Sequence, residues 1–161
     1  MSQAQCTDAS HPTRPCRGLR HPAQRQRPQL LVFDQLGIPD AGTQVPAGGV
    51  KPGESLHDTV LREVAEETGL TDISVVSEIA TEQKPHPETC QPRHTTYFHV
   101  RARADTSDSW RHSVTGTGQD SELQFSCRFV ALPLLTHLAD HQDAQLHRIN
   151  PGWTTGAHHK P

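Results

Sequence analysis

Three observations predict an α/β fold, with helices packed on a sheet. The first is a capped amphipathic segment. Ser55 is a suitable N-cap with Asp58 three residues on, Val60, Leu61, Val64 and Ala65 form an apolar stripe, and Gly69 suits a left-handed C-cap. The second is a set of short runs with strand character, Leu30–Phe33, Ile73–Ala80, Thr95–Ala102 and Leu123–Leu132. The third is size, since 161 residues suffice for one domain with a core of its own.

The elements follow in order. Residues 1–28 are rich in Pro, Arg, Gln, Ser and His and lack periodicity, so they are expected to be a disordered basic tail. This start is Arg-rich and acid-poor, as an organellar transit peptide is, but its prolines interrupt any amphipathic helix. The domain is expected over 29–149. Its first strand, Leu30–Phe33, is a buried apolar run that ends at turn-prone residues from Asp34 to Asp40, and Thr43–Val45 is a second short strand before Pro46. The helix follows the Pro52-Gly53 turn. Thr81–Arg93, polar and proline-rich, reads as a loop over a site, and Asp105–Glu122 reads as another. Leu134–Leu146 reads as a C-terminal helix with Leu134, Leu135, Leu138 and Leu146 inward, and residues 150–161 as a frayed tail.

Charge narrows the partners. The first 28 residues hold five Arg against one Asp, whereas the remainder holds ten basic residues against 17 acidic ones. An acidic body disfavours general nucleic-acid binding, which depends on neutralising phosphates. No apolar run approaches the length of a membrane span and no secretory core follows Met1, so a cytoplasmic protein without membrane contact is expected. Cys6, Cys16, Cys90 and Cys127 are scattered, which argues against a zinc site or a disulfide framework. His137 and His141 stand four apart and read as an exposed helical face.

The chemistry concentrates in Gly48–Leu70, where five acidic residues and four glycines fall within 23 positions. Glu63, Glu66 and Glu67 recur at neighbour spacing and project from one side of the helix within roughly a 100° arc. Like charges so crowded repel, and a hard divalent cation with a taste for carboxylate oxygen removes the conflict.

This stretch resembles the complete signature of the Nudix hydrolases. Gly48, Glu54, then Arg62-Glu63-Val64, Glu66-Glu67 and Gly69-Leu70 match all nine defined positions, and Gln44–Gly49 resembles the family's lead-in. The resemblance implies an α/β/α sandwich around a mixed β-sheet. It also implies Mg²⁺- or Mn²⁺-dependent hydrolysis of a phosphoanhydride in a nucleoside diphosphate linked to another group, such as a nucleoside triphosphate, ADP-ribose or a nucleotide sugar. By the same resemblance Glu63, Glu66 and Glu67 are metal ligands, Arg62 orients the glutamates and Glu54 is a secondary acidic contributor. Asp120 and Glu122 are the candidates for an extra base or ligand, with Glu88 as the alternate. Trp110, Tyr97 and Phe98 are candidates to stack a base, and Arg93 and Arg101 to hold phosphate. Pro85, 15 residues beyond Leu70, resembles a marker of ADP-ribose-cleaving members. The expected partner is a nucleotide-type small molecule, with a homodimer left open.

One feature pulls against a simple transfer. Arg17–Pro28 is polar and proline-containing where the family begins with an apolar strand, so it is expected to make a poor one. A non-catalytic Nudix-fold nucleotide sensor is the alternative function, disfavoured by the intact glutamate set.

Overall fold

A computed structural model of the protein describes residues 17–20, 27–85, 90–114 and 123–156. Among these, six strands form one sheet: β1 (Arg17–Arg20), β2 (Gln29–Gln35), β3 (Ile73–Pro85), β4 (Pro92–Ala102), β5 (Ser109–Ser113) and β6 (Gln124–Ala131). Their order across the sheet is β3-β4-β1-β2-β6-β5. The β1–β4 pair is parallel and every other neighbour pair is antiparallel, so the sheet is mixed.

The helix α1 (Leu56–Thr68) forms where the sequence places it. Ser55 accepts from the Asp58 N–H at 3.1 Å, and Gly69 closes the helix at φ 75°. Its apolar stripe, Val60 and Val64, packs on Phe98 and Val100 of β4 with Leu56, Leu70, Ile73 and Val75 around them. Burying two valines and their partners in this way stabilises the contact by roughly 1.5–3 kcal/mol per side chain. The opposite face of the sheet is covered by the C-terminal segment. Leu134, Leu138, Leu146 and Trp153 close over Leu30, Val32, Val45 and Leu132. The helix on one face and this segment on the other make the three layers.

Several expectations need correction. Arg17–Arg20 is a strand inside the sheet, with Leu19 opposite both Leu30 and Arg101. Backbone pairing to two neighbours outweighs its polar composition. The rest of 1–26 lies outside the described residues. The loop expected over Thr81–Arg93 is mostly a hairpin, with pairing continuing to Pro85 and Pro92. Asp105–Glu122 contains β5, whose alternation is exposed on one face only. Thr43–Val45 contributes a single bridge, Phe33 to Gln44.

The C-terminal α-helix is absent. Leu134–Leu146 runs through a short 3₁₀ turn at Ala139–His141, and another follows at Leu146–Arg148. Asp140 and His141 both sit at φ 50°, which no helix accommodates, and Leu135 is 82% exposed rather than inward. The reason is local competition for backbone groups, since the buried Asp143 carboxylate accepts from the Leu138 N–H at 2.9 Å and from His137 Nδ1 at 2.8 Å. The frayed tail is corrected as far as Gly156. Trp153 is buried, and the Gly156 N–H donates to the Leu134 carbonyl at 2.9 Å.

Asp143 therefore organises the whole covering segment. Burial alone would raise its pKa, but hydrogen bonds from Thr155, the Leu138 backbone and His137 outweigh that and hold it below its ordinary 3.8. A depressed carboxylate contributes stability above the unfolded value, and loses it as pH falls through the folded one. Asp143→Asn is expected to lower the unfolding free energy by about 1–3 kcal/mol at neutral pH. The gap to wild type should close in strong acid, when both side chains are uncharged. Urea titrations of the two proteins at neutral and strongly acid pH check this, and a gap independent of pH would refute it.

Candidate active site

The helix and the turn before it bring the predicted acidic residues together through one guanidinium. Arg62 grips Glu54 side-on, with Nε donating to Oε1 at 2.7 Å and Nη2 to Oε2 at 2.8 Å. Its Nη1 donates to Glu63 Oε1 at 2.6 Å and to Glu66 Oε2 at 3.1 Å, while Nη2 also reaches the Gly49 carbonyl at 2.8 Å. A planar fork can serve three carboxylates in this way, whereas a lysine ammonium could not hold the same geometry. The Arg62 pKa is raised, first by the hydrogen bond to Glu54 and then by Glu63 and Glu66.

The carboxylates are not equivalent. Glu54 is saturated, since Oε2 also accepts from the Lys51 N–H at 3.0 Å and from Thr59 Oγ1 at 2.9 Å. These contacts, the Arg62 hydrogen bond first, lower its pKa to about 2. Glu63 is buried, and burial pushes its carboxyl up against the opposing pull of Arg62. Glu66 pairs with Lys51 Nζ at 3.3 Å. Glu67 turns toward the other side of the loop, where Oε2 accepts from the Ala47 N–H at 2.8 Å. Glu63 and Glu66 thus share Arg62 while Glu67 reaches the loop, and among the described residues no three His, Cys, Asp or Glu side chains are gathered closely enough to hold a metal ion.

Gly48 is obligatory for this packing. A Cβ built there would lie 1.9 Å from the Glu63 carboxylate carbon, far inside the contact distance of two carbon atoms. The loop and the glutamate therefore share one space, which only a residue without a side chain leaves open.

The far end of the helix is held by side chains from the sheet. The Gly69 N–H takes the Ala65 carbonyl at 2.9 Å. The next three carbonyls have no intrahelical donor. Glu66 O lies 3.0 Å from His112 Nε2, Glu67 O lies 3.8 Å from Cys127 Sγ, and Thr68 O accepts from Trp110 Nε1 at 2.7 Å. His112 and Trp110 stand on β5 and Cys127 on β6, so the turn carrying Glu66 and Glu67 is fastened to two strands. Burial raises the Cys127 thiol to about 12, keeping it a neutral donor. Trp110→Phe keeps the ring but strands the Thr68 carbonyl, and is expected to lower the unfolding free energy by ~1–2 kcal/mol. Calorimetry checks the figure, and a change under about 0.5 kcal/mol would contradict the assigned role.

The remaining candidates scatter. Asp120, Glu122 and Glu88 lie outside the described residues. Phe98 is core beneath α1, and Tyr97 is buried with its hydroxyl donating to Glu82 at 2.6 Å. Trp110 belongs to the helix end, Arg101 is exposed on β4, and Arg93 is buried on the same strand. The fastening by His112, Trp110 and Cys127 has no signature in the sequence, because the partners lie 42 to 60 residues from the carbonyls they meet.

Fold and site together define a class, an α/β domain in which a glycine turn and a capped glutamate helix form one loop–helix–loop. The NUDIX domain family model matches residues 18–148, and the chain belongs to the Nudix family. A curated relative, Nudix hydrolase 27, chloroplastic, of Arabidopsis thaliana, is 32% identical over 92 residues, covering 56% of this chain and 35% of that protein. The chain thus spans about a third of that relative's length. Among solved structures, the C. elegans Ap4A hydrolase matches with a TM-score of 0.58 at 15% identity, over 88% of this chain and 97% of that one. A UDP-X diphosphatase matches with a TM-score of 0.57 at 16% identity, over 90% and 64%. At these identities the likeness establishes the shared fold. No helix among the described residues is long and apolar enough to cross a membrane.

Proposed function

We propose that this Nudix chain is a divalent-metal-dependent pyrophosphohydrolase, hydrolysing a phosphoanhydride in a nucleoside diphosphate linked to another group. The observation that carries the reading is the Arg62 hub, which gathers Glu54, Glu63 and Glu66 against the Gly48–Gly49 turn. Glu63, Glu66 and Glu67 offer only carboxylate oxygens, the donor chemistry that Mg²⁺ or Mn²⁺ takes, and the side-chain-free turn at Gly48 leaves the Glu63 carboxylate its place. By that donor chemistry these are the residues that would hold such an ion. When bound, it would supply neutralisation of phosphate charge and activation of water near neutral pH.

The chain's own residues do the rest. Arg62 orients Glu63 and Glu66 through hydrogen bonds to both carboxylates. Glu54 saturates Arg62 from the opposite side, so the guanidinium cannot swing away. Trp110 and His112 fix the helix turn from which Glu66 and Glu67 project. Lys51, half exposed and paired with Glu66, offers a cation beside the carboxylates that could pair with a substrate phosphate.

The test is a panel of nucleoside triphosphates, ADP-ribose, nucleotide sugars, dinucleoside polyphosphates and capped RNA, incubated with Mg²⁺ or Mn²⁺ and resolved by chromatography. Turnover of at least one member, abolished by chelation and restored by added metal, is the expected outcome. Tight binding of one member without turnover would replace this reading with the nucleotide-sensor alternative.

A further inference from the structure

The segment that leads into the glycine turn is held from two sides. After Pro46, three consecutive residues each meet the glutamate set. The Ala47 N–H donates to Glu67 Oε2 at 2.8 Å, Gly48 lies against the Glu63 carboxylate, and the Gly49 carbonyl accepts from Arg62 Nη2 at 2.8 Å. Before Pro46, the chain is tied to the sheet and to the C-terminal turns. Gln44 exchanges both backbone hydrogen bonds with Phe33, at 2.8 and 2.9 Å. The next N–H along an extended chain points the opposite way, so that of Val45 is turned from β2. Val45 is buried, and a buried N–H needs a partner.

That partner comes from 97 residues away. Gln142 Oε1 accepts from the Val45 N–H at 2.8 Å, and Gln142 is itself buried. Its own backbone is fixed, because its N–H donates to the Ala139 carbonyl at 3.1 Å and the Ala139 N–H donates to the Thr43 carbonyl at 2.9 Å. Thr43 is anchored in turn, its hydroxyl donating to Asp34 at 2.6 Å. Only Pro46 stands between the N–H that Gln142 holds and the N–H that orients Glu67. A proline has a fixed φ and no N–H of its own, so a shift at Val45 is passed to Ala47 with little slack.

We infer that Gln142 is a positioning residue for the hydrolytic site. It acts through Val45 and Pro46 on the Ala47 N–H, and so on the Glu67 carboxylate and the turn that leaves Glu63 its place. The covering segment thus sets the geometry of the glutamates as well as closing the core. This inference rests on the hydrolytic reading above.

The test compares variants of the full chain by Mn²⁺ binding, followed by electron paramagnetic resonance without substrate, by steady-state kinetics at saturating metal and by denaturant titration. Gln142→Met keeps the length of the side chain and removes the acceptor. It is expected to weaken Mn²⁺ binding by ~10-fold or more and to lower kcat by ~10–100-fold, with KM little changed. Gln142→Glu keeps an acceptor at the same reach and should restore most of both. Leu146→Ala opens a cavity in the same covering segment, and should lose stability while binding Mn²⁺ as wild type does. Wild-type Mn²⁺ affinity and kcat in Gln142→Met overturn the inference, as does a Gln142→Glu protein equally impaired. An equal loss of Mn²⁺ affinity in Leu146→Ala also overturns it, since stability of the segment would then be all that counts. If Gln142→Met does not fold, Gln142→Asn, which withdraws the same carbonyl by one methylene, decides in its place. A wild type that neither binds Mn²⁺ nor turns over any substrate sinks the hydrolytic reading and this inference with it. An active wild type beside an indifferent Gln142→Met sinks this inference alone.

Discussion

Glu66→Gln is expected to lower kcat by about 10²–10⁴-fold on whichever substrate the panel identifies, with the melting temperature close to wild type. The side chain is partly exposed, at 24%, and is nearly isosteric with glutamine, so the fold has little reason to respond. Activity has every reason to respond. The substitution removes a charge from the carboxylate set that would hold the cation, and transition-state charge stabilisation is commonly the largest single contribution to such reactions. Steady-state kinetics with a metal titration separates the causes. A variant whose lost rate returns at high Mg²⁺ or Mn²⁺ has lost affinity, and one whose rate does not return has lost chemistry. A folded Glu66→Gln protein of unchanged rate would sink the assignment of this helix as the active site.

Gly48→Ala is expected to be the most damaging alanine substitution among the described glycines. The added carbon would fall 1.9 Å from both the Glu63 carboxylate carbon and its Oε1, and neither can yield cheaply. Glu63 is buried, its Oε1 is fixed by Arg62 at 2.6 Å, and Arg62 is in turn fixed by Glu54. Displacing the glutamate breaks that hub, and displacing the turn strips the Gly49 carbonyl from Arg62. A loss of about 2–4 kcal/mol in unfolding free energy should accompany loss of activity. Denaturant titration beside kinetics checks both, and a stable, fully active Gly48→Ala protein would show that the Glu63 position described here is not the working one.

Much of the neighbourhood was legible because it is local in sequence. Glu54, Arg62, Glu63 and Glu66 fall within 13 positions, so helical geometry alone brings the last three together and a short turn returns Glu54 to them. Ser55 and Gly69 bracket the helix by equally local chemistry. What failed to be legible is non-local. The strand at Arg17–Arg20 depends on a parallel pairing with β4, some 80 residues on, which no composition announces. The C-terminal helix expected from leucine spacing does not form, because Asp143 claims the Leu138 N–H and Asp140 turns left-handed to meet Arg93 and Lys84. Leucine spacing records which residues seek the core, and it is silent about which polar groups will compete for the backbone between them.

By itself, then, the sequence determined the loop–helix–loop, its caps, its apolar face and its spaced carboxylates, since each depends on contacts a few residues apart. Only the tertiary structure decided that Gly48 and Glu63 share one space, that Trp110, His112 and Cys127 close the helix end, and that Arg93 is buried with two guanidinium nitrogens unpartnered. Those arrangements arise where distant segments meet on the two faces of the sheet. There burial strips water from polar groups and makes each unpaired or crowded atom count.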